Sequence, residues 1–434
     1  MNLWMKKLPQ LLLATLTAVS LVSIVTLTLT MTHSIKTKNL AAFDKTPYRV
    51  FQTRKRRIDK VCASTKVRGK VRGVYTHKYG VLYCSVPKAG CTFWKSVFYT
   101  ANRKDYVNKS DIFPLSKHYI HSVYGSGKSF SALSSTYSTR LLVVRDPYSR
   151  LLSAYLDKFY LPNFWHSEAL RLIKMRDSPI FAHVIGAGRP DFLRRHYDEV
   201  YKLFPTEAAG GFSRNDTTCG KYLTFQDFIR YGFFVQEPHW MPIHVICNPC
   251  LLNVSHVILM ETFTSDARVL LDKMGMGHLL DDVNHETQIN DDIKMLIEYN
   301  FDIISNSSKK SFYKTCITSR ELGFRLWQTF RWKGYIDPDI EYLIPDFTED
   351  KKVKKNLSEQ VWGARTSGLK KPKSMKNARE KFNIAAFSTL SRSLFTILSQ
   401  KYQLDIRLFG YESIRDKMFS SIYNVNYQEN VLNI

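Results

Sequence analysis

The stretch VLYCSVPKAGCTFWKS, residues 81–96, constrains the fold more than any other part of the chain. It begins with an apolar run, breaks at Pro87, passes through Lys88 and Gly90, and continues as a helical pattern from Thr92. This order predicts a strand, a tight loop and a helix. Small residues let the backbone approach an anion, the start of the helix presents unpaired N–H groups, and Lys88 adds a positive charge. The stretch therefore predicts a phosphate- or sulfate-binding loop, but not a Walker A loop, which needs GxxxxGK followed by Ser or Thr.

A second strand, turn and helix follow in RLLVVRDPYSRLLSAYLDKFY, residues 140–160. Leu141–Val144 is the predicted buried strand, Arg145 stands at its carboxyl end, and Ser153 lies in the predicted helix. In an open α/β sheet, ligands bind at the carboxyl ends of the strands. Lys88 and Arg145 could therefore hold opposite ends of one doubly anionic ligand.

The two stretches together resemble a known family. VPKAGCTFWK is similar to the 5′-phosphosulfate loop, and VVRDPYSRLLSAYLDKF to the 3′-phosphate motif, of the Golgi carbohydrate sulfotransferases. Within that family the resemblance is to the group of chondroitin and dermatan 4-O-sulfotransferases and the glucuronyl 3-O-sulfotransferase. Pro238–Phe263 resembles the family's HW…CxPC…E segment, and Tyr402–Tyr411 its C-terminal strand and aromatic end. The resemblance covers most of Tyr75–Thr262 and roughly Phe387–Tyr411.

The resemblance implies a fold and a sulfuryl donor. The fold is α/β, with a P-loop-like parallel sheet flanked by helices, behind an N-terminal single-pass transmembrane helix. The donor is 3′-phosphoadenylyl sulfate, with Lys88 at the bridging oxygen and Arg145 and Ser153 at the 3′-phosphate. The donor-binding residues that it implies are Pro87, Lys88, Ala89, Gly90, Cys91, Thr92 and Phe93 of the loop and Arg145, Asp146, Pro147, Tyr148, Ser149, Arg150, Leu151, Leu152 and Ser153 of the second motif.

Each proposed donor ligand also has a purely structural alternative. Lys88 could be a surface lysine at a turn, and Ser153 could simply pack in its helix. Arg145 could form an ion pair with Asp146 or Asp157.

Sulfuryl transfer also needs a general base, and histidine is the first candidate near neutral pH. His118 and His121 lie between the two motifs, and His118 better resembles the position where related enzymes carry a histidine. The predicted catalytic residues are therefore Lys88 and His118. His239 and Glu237 are the alternatives for the base, and the mechanism requires no metal ion.

The charge balance indicates an anionic partner. The chain has 63 Lys and Arg residues against 38 Asp and Glu residues, a formal net charge of +25. Nucleic acid, anionic lipid and sulfated or uronate-bearing glycans all fit such a surplus. The chain shows none of the familiar nucleic-acid-binding motifs, and an apparent membrane anchor favours a glycan or proteoglycan.

The apparent anchor is Leu11–Met31, which has no charged side chain. At 1.5 Å per residue this run can cross a bilayer core of about 30 Å. The alternative is a cleaved signal peptide, which normally has a shorter apolar region and a small-residue cleavage site. By resemblance, we expect a type II protein with its catalytic domain in the Golgi lumen.

The expected organisation has six parts. They are a cytoplasmic tail at 1–10, a transmembrane anchor at 11–31, a luminal stem at 32–74, a sulfotransferase core at 75–285, a variable insertion at 286–383, and the C-terminal part of the core with a tail at 384–434. Arg54–Arg57 is interpreted as a solvated part of the stem or as a secretory protease site. The insertion is rich in aromatic residues, and its lysine-rich end, with Lys351–Lys355 and Lys370–Lys381, is expected to be partly disordered. A role in acceptor binding is a hypothesis for this basic and aromatic segment.

The cysteine count indicates disulfides with one thiol left over. Seven cysteines lie at positions 62, 84, 91, 219, 247, 250 and 316. In an oxidising lumen some should pair, and Cys84 and Cys91, which flank the loop, are expected to be structural or unpaired. Cys247 and Cys250 with two nearby histidines could also form a zinc site, but their spacing does not match the usual arrangements.

The sequence therefore predicts a membrane-anchored sulfotransferase that acts on a hydroxyl group of a glycan. One alternative is a nucleotide-dependent transferase of another type, such as a kinase or a glycosyltransferase, although the D-x-D pattern at Asp337–Asp339 lies outside the recognised motifs. The other is a membrane-anchored protein that binds polyanions without catalysis. The acceptor sugar and the oligomeric state do not follow from the sequence.

Overall fold

The structure is a computed structural model that describes residues 49–68, 72–76, 78–103, 117–124, 128–129, 137–177, 219–281, 285–306 and 308–424. The chain divides into two compact units, residues 1–53 and 54–434. Residues 49–53 of the first unit are helical, and the following description concerns the second unit. The predicted anchor, Leu11–Met31, lies outside the described residues. Within the described ranges, no helix is both long and apolar enough to cross a membrane.

The centre of the fold is a five-stranded sheet with the order β3-β1-β2-β4-β5. The strands are β1 Arg72–Thr76, β2 Val81–Cys84, β3 Lys128–Ser129, β4 Thr139–Val144 and β5 His256–Leu259. β2, β4 and β5 are parallel, with Tyr83 opposite Leu141 and Leu142 opposite Val257. β1 runs antiparallel to both β2 and β3.

The predicted parallel arrangement is thus confirmed for β2, β4 and β5 and wrong for β1, which runs antiparallel to its neighbours. The short connection between Thr76 and Val81 explains the difference, because parallel neighbours need a crossover of a dozen residues or more. The resulting sheet is mixed, and the α/β class with flanking helices is confirmed.

The described α-helices lie between and after these strands. They are α1 54–64, α2 Cys91–Asn102, α3 Lys117–Tyr124, α4 Pro147–Tyr155, α5 Glu168–Arg176, α6 Phe225–Gly232, α7 Ile243–Ile246, α8 Pro249–Leu252, α9 Phe263–Lys273, α10 His285–Asn306, α11 Lys310–Cys316, α12 Ser319–Trp332, α13 Asp350–Leu369, α14 Pro372–Ser388, α15 Arg392–Lys401, α16 Gln403–Phe409 and α17 Glu412–Tyr423. A π-helical turn, Leu156–Tyr160, extends α4. Short 3₁₀ helices lie at Pro162–Phe164, Gly220–Tyr222, Met260–Thr262 and Gly277–Leu280.

Helix α1 belongs to the folded unit, although the sequence places it in the predicted stem. Ile58 is buried, and Arg54 Nη1 lies 2.6 Å from Asp266 Oδ2. Arg57 forms a more exposed ion pair with Glu412. This part of the expected stem is therefore folded, and cleavage by a protease within Arg54–Arg57 stays a prediction.

Six of the seven cysteines form disulfides. The pairs are Cys62–Cys250, Cys84–Cys247 and Cys219–Cys316, and Cys91 is a buried free thiol. Of the two cysteines expected to be structural or unpaired, Cys91 is unpaired, whereas Cys84 is bonded to Cys247. Since both sulfurs of the CxPC segment bond to other cysteines, the zinc alternative has no support.

The C-terminal region from residue 285 is helical throughout its regular elements. The lysine-rich end of the expected insertion forms most of α13 and α14 and is not disordered. Val353, Leu357 and Val361 recur along α13 and are buried, so that its lysines occupy the remaining surface.

The strand expected within Tyr402–Tyr411 is also wrong, because α16 occupies this stretch and ends at Gly410 with φ +83°. Short apolar runs do not distinguish a helix from a strand by periodicity alone.

Candidate active site

The loop between β2 and α2 has the backbone that an anion site requires. Lys88 and Gly90 both adopt left-handed conformations, with φ of +65° and +68°. A side chain at position 90 would also approach Met260 and Phe263 to 3.3 Å. Glycine therefore suits this position both for its backbone conformation and for the close packing around it. No side chain of the described residues caps the start of α2. Its first turn therefore presents backbone N–H groups and the positive end of the helix dipole toward the loop.

Lys88 is held by a carboxylate from the second motif. Its Nζ lies 2.9 Å from Asp157 Oδ2, and Lys158 Nζ lies 3.5 Å from the same oxygen. Asp157 is almost completely buried and lies in the π-helical turn that extends α4. Such turns frequently occur at functional sites. Sequence analysis considered Asp157 only as a partner of Arg145, and the LDKF letters contain no signal that points to Lys88.

Arg145, Ser149 and Ser153 form the open face of the second motif. Between Arg145 and Tyr160, these are the only three residues that are not buried. Their spacing of four residues aligns Ser149 and Ser153 on one side of α4, next to the end of β4. Arg145 Nη1 lies 3.4 Å from the Lys88 carbonyl oxygen, so the two motifs meet.

The electrostatics of Arg145 fit an anion site. Burial lowers the pKa of Arg145, and the positive charge of Arg379 lowers it further. The nearby Tyr335, Asp146 and Glu261 act in the opposite direction. None of the carboxylates in the described ranges forms an ion pair with its guanidinium group.

The remaining predicted donor-binding residues of this motif face the protein interior. Asp146 caps α4 by accepting the N–H groups of Tyr148 and Ser149, and burial raises its pKa. Tyr148, Leu151 and Leu152 are buried.

Arg150 connects the loop to the HW segment. This buried guanidinium donates to the carbonyl oxygens of Pro87, Pro238 and Met241 at 3.0, 2.7 and 2.7 Å. Arg150 therefore positions the loop.

The histidines between the motifs lie on α3. His118 is in this helix, but its side chain lies outside the described atoms, so its predicted role stays a prediction. One turn later, His121 Nε2 lies 3.1 Å from Thr92 Oγ1, and its Nδ1 lies 3.3 Å from Lys95 Nζ. Burial lowers the pKa of Lys95. A histidine of α3 is thus in contact with the loop, and it is His121, which resembles the family's histidine position less well than His118 does.

The alternative base, Glu237 with His239, forms a compact pair. Glu237 Oε1 lies 2.7 Å from His239 Nδ1, and Oε2 accepts the His239 backbone N–H. Burial raises the pKa of Glu237 to about 7, against smaller opposing effects that include the charge of Lys158. A carboxyl group with such a pKa can gain and lose a proton near neutral pH.

A third group of polar residues comes from the C-terminal helical region. Asp292 Oδ2 accepts hydrogen bonds from Lys333 Nζ at 2.6 Å and from Tyr335 Oη at 2.7 Å. Burial opposes the charge on Asp292, but Lys333, Tyr335 and finally Lys88 outweigh it and lower its pKa. The cluster therefore lies within electrostatic reach of Lys88. Sequence analysis missed it, and the only signal was the basic and aromatic composition of the segment.

Comparisons with known proteins agree with the motifs. The family model described as the sulfotransferase family matches residues 72–331. Human carbohydrate sulfotransferase 9 is 28% identical over 214 residues, which are 46% of this chain and 40% of that protein. Human carbohydrate sulfotransferase 8 is 28% identical over 247 residues, 52% of this chain and 50% of that protein.

A third relative extends the match. Carbohydrate sulfotransferase 10 of Xenopus laevis is 27% identical over 283 residues, 60% of this chain and 66% of that protein. The chain spans about half the length of the curated relatives it matches. No solved structure matches. The family match ends within α12, so α13 to α17 lie beyond it.

Proposed function

The chain belongs to the sulfotransferase family, and we propose that it transfers a sulfuryl group from 3′-phosphoadenylyl sulfate to a hydroxyl group of a glycan. The observation that carries this proposal is the contact of Arg145 with the Lys88 carbonyl, which joins the two donor motifs in one site. The names of the matched relatives support a carbohydrate acceptor. The net charge of +25 suits an anionic acceptor such as a glycosaminoglycan or proteoglycan.

The residues present fit the two charged ends of the donor. The loop at 87–93, with the uncapped start of α2, suits the 5′-phosphosulfate. Arg145, Ser149 and Ser153 present a cation and two hydroxyl groups on one face, which suits the 3′-phosphate. When bound, the donor supplies an activated sulfuryl group whose bond to the bridging oxygen breaks. Lys88 stabilises the negative charge that develops on this oxygen, and Asp157 positions the Lys88 ammonium group.

The acceptor hydroxyl loses its proton as the new sulfur–oxygen bond forms. We propose His118 as the base on the resemblance, with Glu237 as the alternative because its pKa of about 7 suits proton transfer. The rate of the matched variants His118→Ala and Glu237→Gln, measured against pH, separates the two. The base is the residue whose removal abolishes the rise of the rate with pH.

We also propose that the protein works in the Golgi lumen, behind the predicted anchor. Three disulfides in the described part of the chain support an oxidising compartment. The predicted anchor itself stays a prediction.

Thermal unfolding with nucleotides tests the donor site directly. At about 100 times its dissociation constant, adenosine 3′,5′-bisphosphate should stabilise the protein by roughly 2.7 kcal/mol, a shift of several degrees, with smaller shifts for ADP, ATP and UDP. Lys88→Ala and Arg145→Ala should reduce the shift. Lys78→Ala, which removes an exposed lysine from the β1–β2 turn, should not.

The same variants test the reaction. With labelled donor and glycosaminoglycan acceptors, Lys88→Ala should lower kcat by about 100-fold. The proposal is wrong if the bisphosphate gives no shift, or gives the same shift as ADP.

A further inference from the structure

Helix α14 lies next to the second donor motif, although it is beyond the family match. Its Phe387 ring packs edge-on against Tyr148 of α4, with ring centres 5.5 Å apart. Phe382 stacks on Trp332 at 4.5 Å with the ring planes 4° apart. Trp332 in turn contacts Tyr160 at the end of the π-helical turn. These aromatic contacts fix α14 against the elements that carry Arg145 and Asp157.

Arg379 occupies the packing stripe of α14 but is exposed. The buried residues Met375, Phe382 and Ala386 repeat at helical spacing along this stripe. Arg379 lies four residues after Met375 and three before Phe382, on the same side of the helix. Its side chain is nevertheless exposed, although the turn at Gly334 lies close to its Cβ. The Cβ of Arg379 therefore lies on the packed side of α14 while its charged end is open to solvent.

The backbone beside Arg379 leads to the candidate site. Gly334 has φ +66°, and a side chain there would come within 3.2 Å of the Arg379 Cβ and 2.6 Å of the Met375 carbonyl oxygen. The next residue, Tyr335, donates to Asp292. Glycine at 334 thus lets the turn lie directly on α14 and places Arg379 beside the cluster that borders Lys88.

Arg379 and Arg145 are two cations that carboxylates do not neutralise. Among the residues that the structure describes, neither guanidinium group forms an ion pair. The charge of Arg379 is nevertheless close enough to lower the pKa of Arg145. Two like charges held together cost free energy unless an anion lies between them.

We propose that Arg379 binds the 3′-phosphate of the sulfuryl donor, opposite Arg145, so that two arginines from distant parts of the chain clamp this group. The inference rests on the proposed function. A planar guanidinium group can donate two parallel hydrogen bonds to a phosphate, and a second arginine adds both charge and orientation. A lysine at 379 would supply only the charge.

Binding of two nucleotides that differ only in the 3′-phosphate tests the clamp. The affinities of the full-length protein for adenosine 3′,5′-bisphosphate and for 5′-AMP are measured by calorimetry. Arg379→Ala should weaken bisphosphate binding by about ten- to a hundredfold and leave 5′-AMP binding unchanged. Arg379→Lys should recover part of the loss. Lys381→Ala removes an exposed positive charge from the same helix two residues away and should change neither affinity.

The outcomes separate the clamp from the proposed function. If the wild-type protein prefers the bisphosphate and Arg379→Ala keeps that preference, the clamp is wrong and the donor site stands. If Arg379→Ala instead raises only the KM for the glycan acceptor, Arg379 belongs to the acceptor site and the clamp is again wrong. If the wild-type protein shows no preference for the bisphosphate, both the clamp and the proposed function fall.

Discussion

The candidate site has contributions from two regions of the chain. In the sheet region, residues 72–160, its residues lie on turns that directly follow strands. In the C-terminal helical region, residues 285–424, its side chains are brought together only by helix packing. Lys88 and Gly90 follow β2 within six residues, and Arg145 follows β4 at once. Asp292 and Lys333, by contrast, are 41 residues apart when they meet. The first kind of site depends on local backbone conformation and the second on distant apolar contacts. Substitutions in the two regions should therefore differ in how they change stability and nucleotide binding.

The largest effect is expected for Arg150→Ala, in the sheet region. The substitution leaves the carbonyl oxygens of Pro87, Pro238 and Met241 without their donor. Each buried polar group without a partner costs about 1 to 3 kcal/mol, so that unfolding in urea should show a loss of about 3 to 5 kcal/mol. Because the loop begins at Pro87, affinity for both the bisphosphate and 5′-AMP should fall.

The matched control for this prediction is Arg171→Ala. Arg171 is an exposed arginine whose ion pair with Glu168 is weak, so the change should cost no more than about 0.5 kcal/mol. A loss below about 1 kcal/mol for Arg150→Ala would mean that the loop holds its shape without this arginine.

The contrast between the regions also explains what the sequence could predict. The loop, the turn at Arg145 and the helices after them follow from residues within a short window, where Pro87, Gly90 and Pro147 interrupt the apolar patterns. The parallel pairing of β2 and β4 follows from the same units. The set of proposed donor-binding residues in the second motif reduces to Arg145, Ser149 and Ser153 only when burial is known, because the motif alone does not show which side of α4 is covered.

Apart from the direction of β1 and the helix α16, the missed features are contacts between distant segments. The sequence suggests Asp157 as a partner of Arg145, whereas in the structure the Asp157 carboxylate forms an ion pair with Lys88. The lysine-rich stretches predict partial disorder because their charge is visible in the sequence. The apolar stripes of α13 and α14 stabilise these helices only when the neighbouring helices pack against them. Arg379 carries no local signal, since its position depends on the turn at Gly334.

The next effect is expected for Phe382→Ala, in the C-terminal helical region. Removing the ring that stacks on Trp332 should cost about 3 kcal/mol of unfolding free energy. It should also loosen α14, and with it the preference for the bisphosphate over 5′-AMP, while 5′-AMP binding itself persists. Calorimetry on the folded variant at low temperature measures both affinities.

Phe347→Ala is the control for this change, because Phe347 is 40% exposed and its removal leaves no buried cavity. If Phe382→Ala weakened binding of the bisphosphate and of 5′-AMP equally, the two regions would not act separately. The nucleotide site of the sheet region would then depend on packing in the helical region.

The smallest effect concerns Glu237, whose neighbour Pro238 is bound by Arg150. Burial raises the pKa of the Glu237 carboxyl group from 4.5 to about 7. Between these values the folded protein binds more protons than the unfolded chain, so this group's contribution to stability falls as the pH rises and is lost above about pH 7. Since the side chain remains 16% exposed, we expect a loss of about 2 kcal/mol, below the value for complete burial.

Urea unfolding at about pH 5 and pH 8 should show this loss in the wild-type protein and not in Glu237→Gln. Glu380→Gln, at an exposed position of α14, should keep the wild-type pH dependence. An equal pH dependence of stability in the wild-type protein and Glu237→Gln would mean that another group takes up the proton. Glu237 would then no longer be the alternative candidate for the base.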